Sequence, residues 1–216
     1  HKPDNTDGDR VTHNPYAPLL APGRIGTLEL KNRIIMAPMG DNFSTPDGFC
    51  TERVQAYFEA RARGGAGLLI MGACAVAYPH GASEPFQAGL SRDDFIPGLA
   101  ALVERVHRHG AKIAAQLQHA GKTATRDLAE GRELWVPSIP PRNVPDIFGA
   151  LTHEEMASFV SGSGARKPKL RVMDQADIGQ MIEYFAAAAA RAQQAGFDGV
   201  EVHGAHTYIV AGFLSP

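Results

Sequence analysis

Residues 199–216, GVEVHGAHTYIVAGFLSP, join a short apolar segment to the densest group of proton-handling side chains in the chain. Val200 and Val202 are β-branched and two apart, which suits a strand. His203, His206 and Tyr208 follow at spacings of three and two, so a tight turn at the strand's carboxyl end can aim all three at one point. Parallel α/β folds place their chemistry at the carboxyl ends of strands. The fold is decided by whether the rest of the chain repeats this strand-then-loop pattern.

Working back from that stretch, it does. Residues 175–195 read as a helix, with Asp174 as N-cap, five alanines at 186–190 that permit close approach to a sheet, and Gly196 as the stop. KIAAQL at 112–117 is a strand, and FIPGLAALVERVHRHG at 95–110 is a helix with an apolar stripe of Leu99, Leu102, Val103 and Val106. GLLIMGACAV at 67–76 is continuously apolar and predicts a strand covered on both faces. TERVQAYFEARAR at 51–63 predicts a helix, RIIMAPM at 33–39 the first strand, and LLAPGRIGTLELKN before it a hairpin around Gly26. Residues 119–173 form a long irregular region, broken by a short helical candidate near 152–160; a loop of that length in a compact domain is usually functional.

Four strands alternating with helices argue a parallel sheet with right-handed crossovers. A doubly wound sheet of the dinucleotide type requires a G-x-G-x-x-G turn, and none follows any strand. Polar or unusual residues instead follow every strand: Pro38, Met39 and Gly40 after the first, Ala73 in the second, Gln116 in the third, and His203 with His206 after the fourth. The reading is therefore an α/β protein of the (β/α)8 TIM-barrel class, of which this chain supplies about the first four strands. Residues 1–17 are a polar arm, and 18–216 the first half of the barrel with the 119–173 loop over its mouth. Half a barrel would leave two edges and an apolar face open. A fragment, a homo-oligomer or a partner supplying the second half-barrel is expected.

Composition excludes several functions. With 21 Lys and Arg against 23 Asp and Glu the net charge is -2, with no basic stripe to track phosphates, so no nucleic-acid partner is expected. No run approaches the roughly 18 apolar residues of a membrane span, so no membrane partner is expected either. The two cysteines, Cys50 and Cys74, form no C-x-x-C pair, which fits a reducing, cytoplasmic setting. Read alone, two histidines three apart could be core residues, a catalytic pair or metal ligands. No cysteine lies nearby in sequence, and no metal site is assigned.

Three segments carry a resemblance to a known family: PLLAPGRIGTLELKNRIIMAPM at 18–39, QLQHAGK at 116–122 and AGFDGVEVHGAHTYIVAGFLSP at 195–216. The chain resembles the N-terminal half of the old yellow enzyme family of FMN-dependent ene-reductases, most nearly its 2,4-dienoyl-CoA reductase and enoate reductase branch. The resemblance implies FMN as cofactor, NADH or NADPH as reductant, and a small-molecule enone or enoyl thioester as substrate. It implies that His203 and His206 hold the substrate's carbonyl oxygen and that Tyr208, whose type has an ordinary pKa of about 10, donates a proton. It further implies cofactor contacts at Pro38, Met39, Gly40, Ala73, Gln116 and His203. A 4Fe-4S cluster and the flavin phosphate site would fall in sequence beyond this chain. A flavin amine dehydrogenase on the same scaffold, or a non-catalytic half-barrel fragment or partner subunit, is the alternative. Three departures stand out: Gly40 where relatives place Thr or Cys, Thr207 in place of the glycine of HGAHGY, and Gly212 where many relatives have Gln or Asn.

Overall fold

A computed structural model describes residues 14–139, Thr152, Glu154 and 167–215. Residues 1–13 of the expected arm lie outside the described residues. So does the helical candidate near 152–160, apart from Thr152 and Glu154. The described chain opens with a single helical turn, α1 (Ala17–Leu20), and a two-stranded antiparallel hairpin of β1 (Gly23–Ile25) and β2 (Leu28–Leu30). Gly26 at the hairpin turn has φ of +58°, a conformation that costs glycine nothing.

The elements then alternate as β3 (Ile35–Met36), α2 (Glu52–Arg63), β4 (Leu68–Ala75), α3 (Ile96–His107) and β5 (Lys112–Gln118). After β5 come α4 (Thr125–Glu130), β6 (Glu133–Val136), β7 (Lys169–Val172), α5 (Gln175–Gln194), β8 (Gly199–Val202) and α6 (Ile209–Leu214). β3, β4, β5 and β8 form one parallel sheet in that order. The four expected strands thus sit side by side in sequence order, the arrangement of consecutive βα units.

The first strand is shorter than the seven residues its sequence suggested. Ile35 and Met36 pair with β4, and on their carboxyl side Pro38 has no N–H to donate; contact with β4 resumes through a bridge between Gly40 and Gly72. The 119–173 region, expected to be irregular, contains α4 and a parallel pair of short strands, β6 and β7. α6 was likewise not foreseen.

Side chains alternate across the sheet with a period of two. Leu69, Met71, Ile113, Ala115 and Leu117 face the helices and join Val54, Phe58, Leu99, Leu102, Ala188 and Ala192 in the main core. Full burial of a side chain such as Phe58 or Leu99 contributes about 1.5–3 kcal/mol. The opposite face carries Leu68, Ile70 and Ala114, covered by Leu28 and Leu30 of the hairpin. That cover reaches only the amino ends of the strands; at the carboxyl ends the same face carries Gln116 and Glu201, paired across β5 and β8. β4 is buried or half-buried along its whole length, as its continuously apolar sequence predicts.

Asp198 fixes the entry to β8. Its carboxylate accepts hydrogen bonds from the Ile113 amide (2.9 Å) and Lys112 Nζ (2.9 Å), and it meets His107 Nε2 at 2.7 Å. Burial opposes its ionisation, but these donors outweigh burial and hold it below the usual carboxylate range. On the outer side, β8 and the adjoining helices leave an apolar groove lined by Ile182, Phe185, Val202 and Phe213. No helix among the described residues is long and apolar enough to cross a membrane.

Candidate active site

The carboxyl ends of β3, β4, β5 and β8 converge on one cavity of about 230 Å³. Pro38, Met39 and Gly40 reach it from β3, Ala73 from β4, Gln116 from β5, and His203, His206 and Tyr208 from the turn after β8. All eight residues singled out in the sequence line this cavity. Four others join them: Ser83, Glu84 and Gln87 from the loop after β4, and Ala205. Ser83, Glu84 and Gln87 have no periodicity or motif to mark them, their only sequence signal being a loop bearing Gly and Pro between two regular elements, whereas Ala205 lies inside the HGAHTY stretch.

Local backbone geometry builds the β8 corner. The His203 amide continues the parallel ladder by donating to the Leu117 carbonyl (3.0 Å), which fixes the ring's origin at the sheet. His206 and Thr207 then adopt left-handed φ values of +54° and +60°, reversing the chain. The Tyr208 amide closes the turn on the Ala205 carbonyl (3.2 Å), and the Ile209 amide ties α6 to the His119 carbonyl (3.0 Å). Tyr208 packs beside the cluster of Ala120, Ala124 and Leu134.

Hydrogen-bond partners set the imidazole tautomers. His203 Nδ1 accepts from the Ala205 amide at 3.1 Å, so the ring proton sits on Nε2 and is donated to His206 Nδ1 at 3.1 Å. His206 then carries its own proton on Nε2. Burial, and secondarily the positive charge that His206 would carry, push the His203 pKa below its ordinary value, so a neutral imidazole is the donor here. The Tyr208 ring lies edge-on to His203 with centroids 4.7 Å apart, and 6.2 Å from His206.

At the opposite wall the strand ends pack closely. A Cβ at Gly72 would lie 2.6 Å from Pro38 Cβ and 3.0 Å from both Gln116 Oε1 and the Met39 nitrogen, so only glycine lets these three strand ends approach so closely. Gln116 Nε2 donates to Glu201 Oε1 at 2.7 Å, which orients the amide and leaves its Oε1 and second N–H for a polar ring edge. Met39 accepts from the Tyr57 hydroxyl through its sulfur at 3.1 Å. Glu84 is half-buried; burial first, and the nearby charge of Asp41 second, push its carboxyl above the usual range.

A closely packed glycine wall with an oriented amide at one edge fits the ring system of a flavin. The twelve lining residues include no lysine or arginine, so this cavity does not itself offer a cation to a phosphate. Among the described residues no group of three His, Cys, Asp or Glu is placed to hold a metal. Cys50 and Cys74 are free, and burial pushes both thiols up to about 12.

Comparison with known proteins identifies relatives of the chain. A family model described as the NADH:flavin oxidoreductase / NADH oxidase family matches residues 18–216. An NADH oxidase of Thermoanaerobacter brockii is 38% identical over 206 residues, covering 95% of this chain and 28% of that protein. An NADPH dehydrogenase of Halalkalibacterium halodurans is 40% identical over 188 residues, covering 87% of this chain and 48% of that protein. Among solved structures, Old Yellow Enzyme from Pichia sp. AKU4542 superposes with a TM-score of 0.72 at 29% identity, over 89% of this chain and 47% of that one. The four βα units are thus half of a (β/α)8 barrel, and the chain spans half or less of each of these relatives.

Proposed function

The chain belongs to the NADH:flavin oxidoreductase / NADH oxidase family, and on that premise we propose that it forms part of an FMN-dependent oxidoreductase that reduces activated carbon–carbon double bonds. In this reading NADH or NADPH is the reductant and an α,β-unsaturated carbonyl compound or enoyl thioester the substrate. The observation that carries it is convergence: eight residues from four strand ends, as far apart in sequence as Pro38 and Tyr208, line one cavity of about 230 Å³.

Pro38, Met39, Gly40 and Ala73 would form the wall against the flavin ring, with the Gln116 amide at its polar edge. Cations for the phosphate would come from parts of the protein outside this cavity. When bound, the reduced cofactor supplies hydride to the substrate's β carbon.

The protein's own residues supply the rest. Negative charge accumulates on the substrate's carbonyl oxygen as the hydride arrives, and the Nε2–H groups of His203 and His206 are the donors that stabilise it. His203 exchanges its present acceptor, His206 Nδ1, for an oxygen that becomes anionic, and hydrogen bonds to ionised acceptors are roughly twice as strong. A neutral His203 suits this role because it donates a hydrogen bond without giving up its proton. The Tyr208 hydroxyl, beside His203, delivers the proton to the α carbon and completes saturation of the double bond.

A phenolate mimics the substrate's developing oxyanion, so its binding tests the histidine pair separately from turnover. In the full-length FMN-loaded protein, titration with a phenol should produce a long-wavelength charge-transfer band. His203→Ala and His206→Ala should each weaken that binding by about tenfold or more, the value of a hydrogen bond to a charged group. A band that forms with unchanged affinity in both variants would refute the clamp.

A further inference from the structure

Gly40 leaves a space that a neighbour fills. A Cβ built at position 40 would lie 2.7 Å from Glu84 Cδ and 2.8 Å from Glu84 Oε2, with Oε1 closer still. No real side chain tolerates such distances, so residue 40 and the Glu84 carboxyl are alternatives for one volume in the cavity wall. The loop after β4 is fastened so that residue 84 arrives there. Buried Gln87 donates from Nε2 to the Ala73 carbonyl (2.9 Å) and to Gln118 Oε1 (3.0 Å), and its Oε1 accepts from the Ser83 amide (2.7 Å). Pro85 then restricts Glu84 to extended backbone.

We infer that Glu84 takes the place of a side chain at position 40 and sets the electrostatics of this wall toward the bound flavin, an inference that rests on the flavin reading of the cavity. A carboxylate beside the ring opposes the negative charge that reduction adds, and in a partly dry pocket that opposition is weakly screened. Glu84 therefore holds the flavin's midpoint potential down. The glycine at 40 is the condition for this arrangement, because a larger residue would evict the carboxyl.

Spectroelectrochemical titration of the full-length FMN-loaded protein tests this, at a mildly alkaline pH that keeps the carboxylate ionised. Glu84→Gln, which preserves shape and removes charge, should raise the reduced-to-oxidised ratio at a fixed potential about tenfold, equivalent to about 30 mV for a two-electron couple. Gly40→Ser should move the potential in the same direction, and Gly40→Ser combined with Glu84→Gln should move it no further than the larger single shift. Thermal unfolding of each variant separates an electrostatic change from a folding defect; if Gly40→Ser does not fold, Glu84→Gln carries the test alone. A flavin-loaded Glu84→Gln protein whose ratio changes less than twofold would overturn the role of Glu84 and leave the flavin reading standing. So would fully additive shifts in the double variant. An unsubstituted full-length protein that binds no FMN would overturn both.

Discussion

At the scale of single residues, the turn after β8 depends on two left-handed positions, and Thr207 occupies one of them at φ +60°. For a β-branched L-residue this conformation costs about 1–2 kcal/mol, a cost that glycine escapes. Glycine also gains entropy in the unfolded chain, which returns part of that advantage. Thr207→Gly should therefore stabilise the protein by about 0.5–1 kcal/mol, read as a higher Tm. A lower Tm would mean that the threonine side chain makes a contact worth more than the strain. The sequence marked Thr207 as a departure within HGAHTY, but its conformational meaning became visible only once the φ value was known. Gly40 followed the same course: its missing side chain was legible, and Glu84 filling the gap was not, because 44 positions separate two residues that meet only through a fold-back of the loop.

At the scale of elements, α5 is the best-determined piece. Asp174 Oδ1 accepts from the Asp177 amide at 2.8 Å, and Asp177 Oδ2 accepts in return from the Asp174 amide at 3.3 Å, a reciprocal capping box. Arg171 on β7 grips Asp177 with two bonds of 2.9 and 2.7 Å, linking the helix start to the strand before it. Asp174→Ala should cost about 1 kcal/mol of stability by chemical denaturation; a loss below a few tenths would show that the Arg171 contact alone sets the helix start. The cap was readable in advance because its determinants are local. The helices over 51–63, 95–110 and 175–195 were located within a few residues for the same reason. β6 and β7 were missed on physical grounds: each has four residues, too few to show a period, and their pairing partner lies more than thirty positions away. α6 was hidden inside a segment read for its motif.

At the scale of the whole molecule, the parallel order β3, β4, β5, β8 brings four strand ends to one side of the sheet and the hairpin to the other. The barrel reading rested on the strand ends, since polar or unusual residues followed every strand and no G-x-G-x-x-G turn did. Val202 on β8 is 54% exposed and Leu214 on α6 is 76% exposed, values foreign to a core. The chain spans 47% of the Pichia Old Yellow Enzyme structure.

If this half carries the substrate clamp of a flavin-dependent reduction, anaerobic mixing of the full-length FMN-loaded protein with its reductant and then with an enone will show it. NADH or NADPH should bleach the flavin absorbance, and a simple enone such as 2-cyclohexenone should restore it. The restoring step should slow by about a hundredfold or more when His203 or His206 is replaced by alanine, the cost of losing an oxyanion donor. Re-oxidation by the enone at an undiminished rate in both variants, or a flavin reduced by an amine and not by either nicotinamide, would contradict the account.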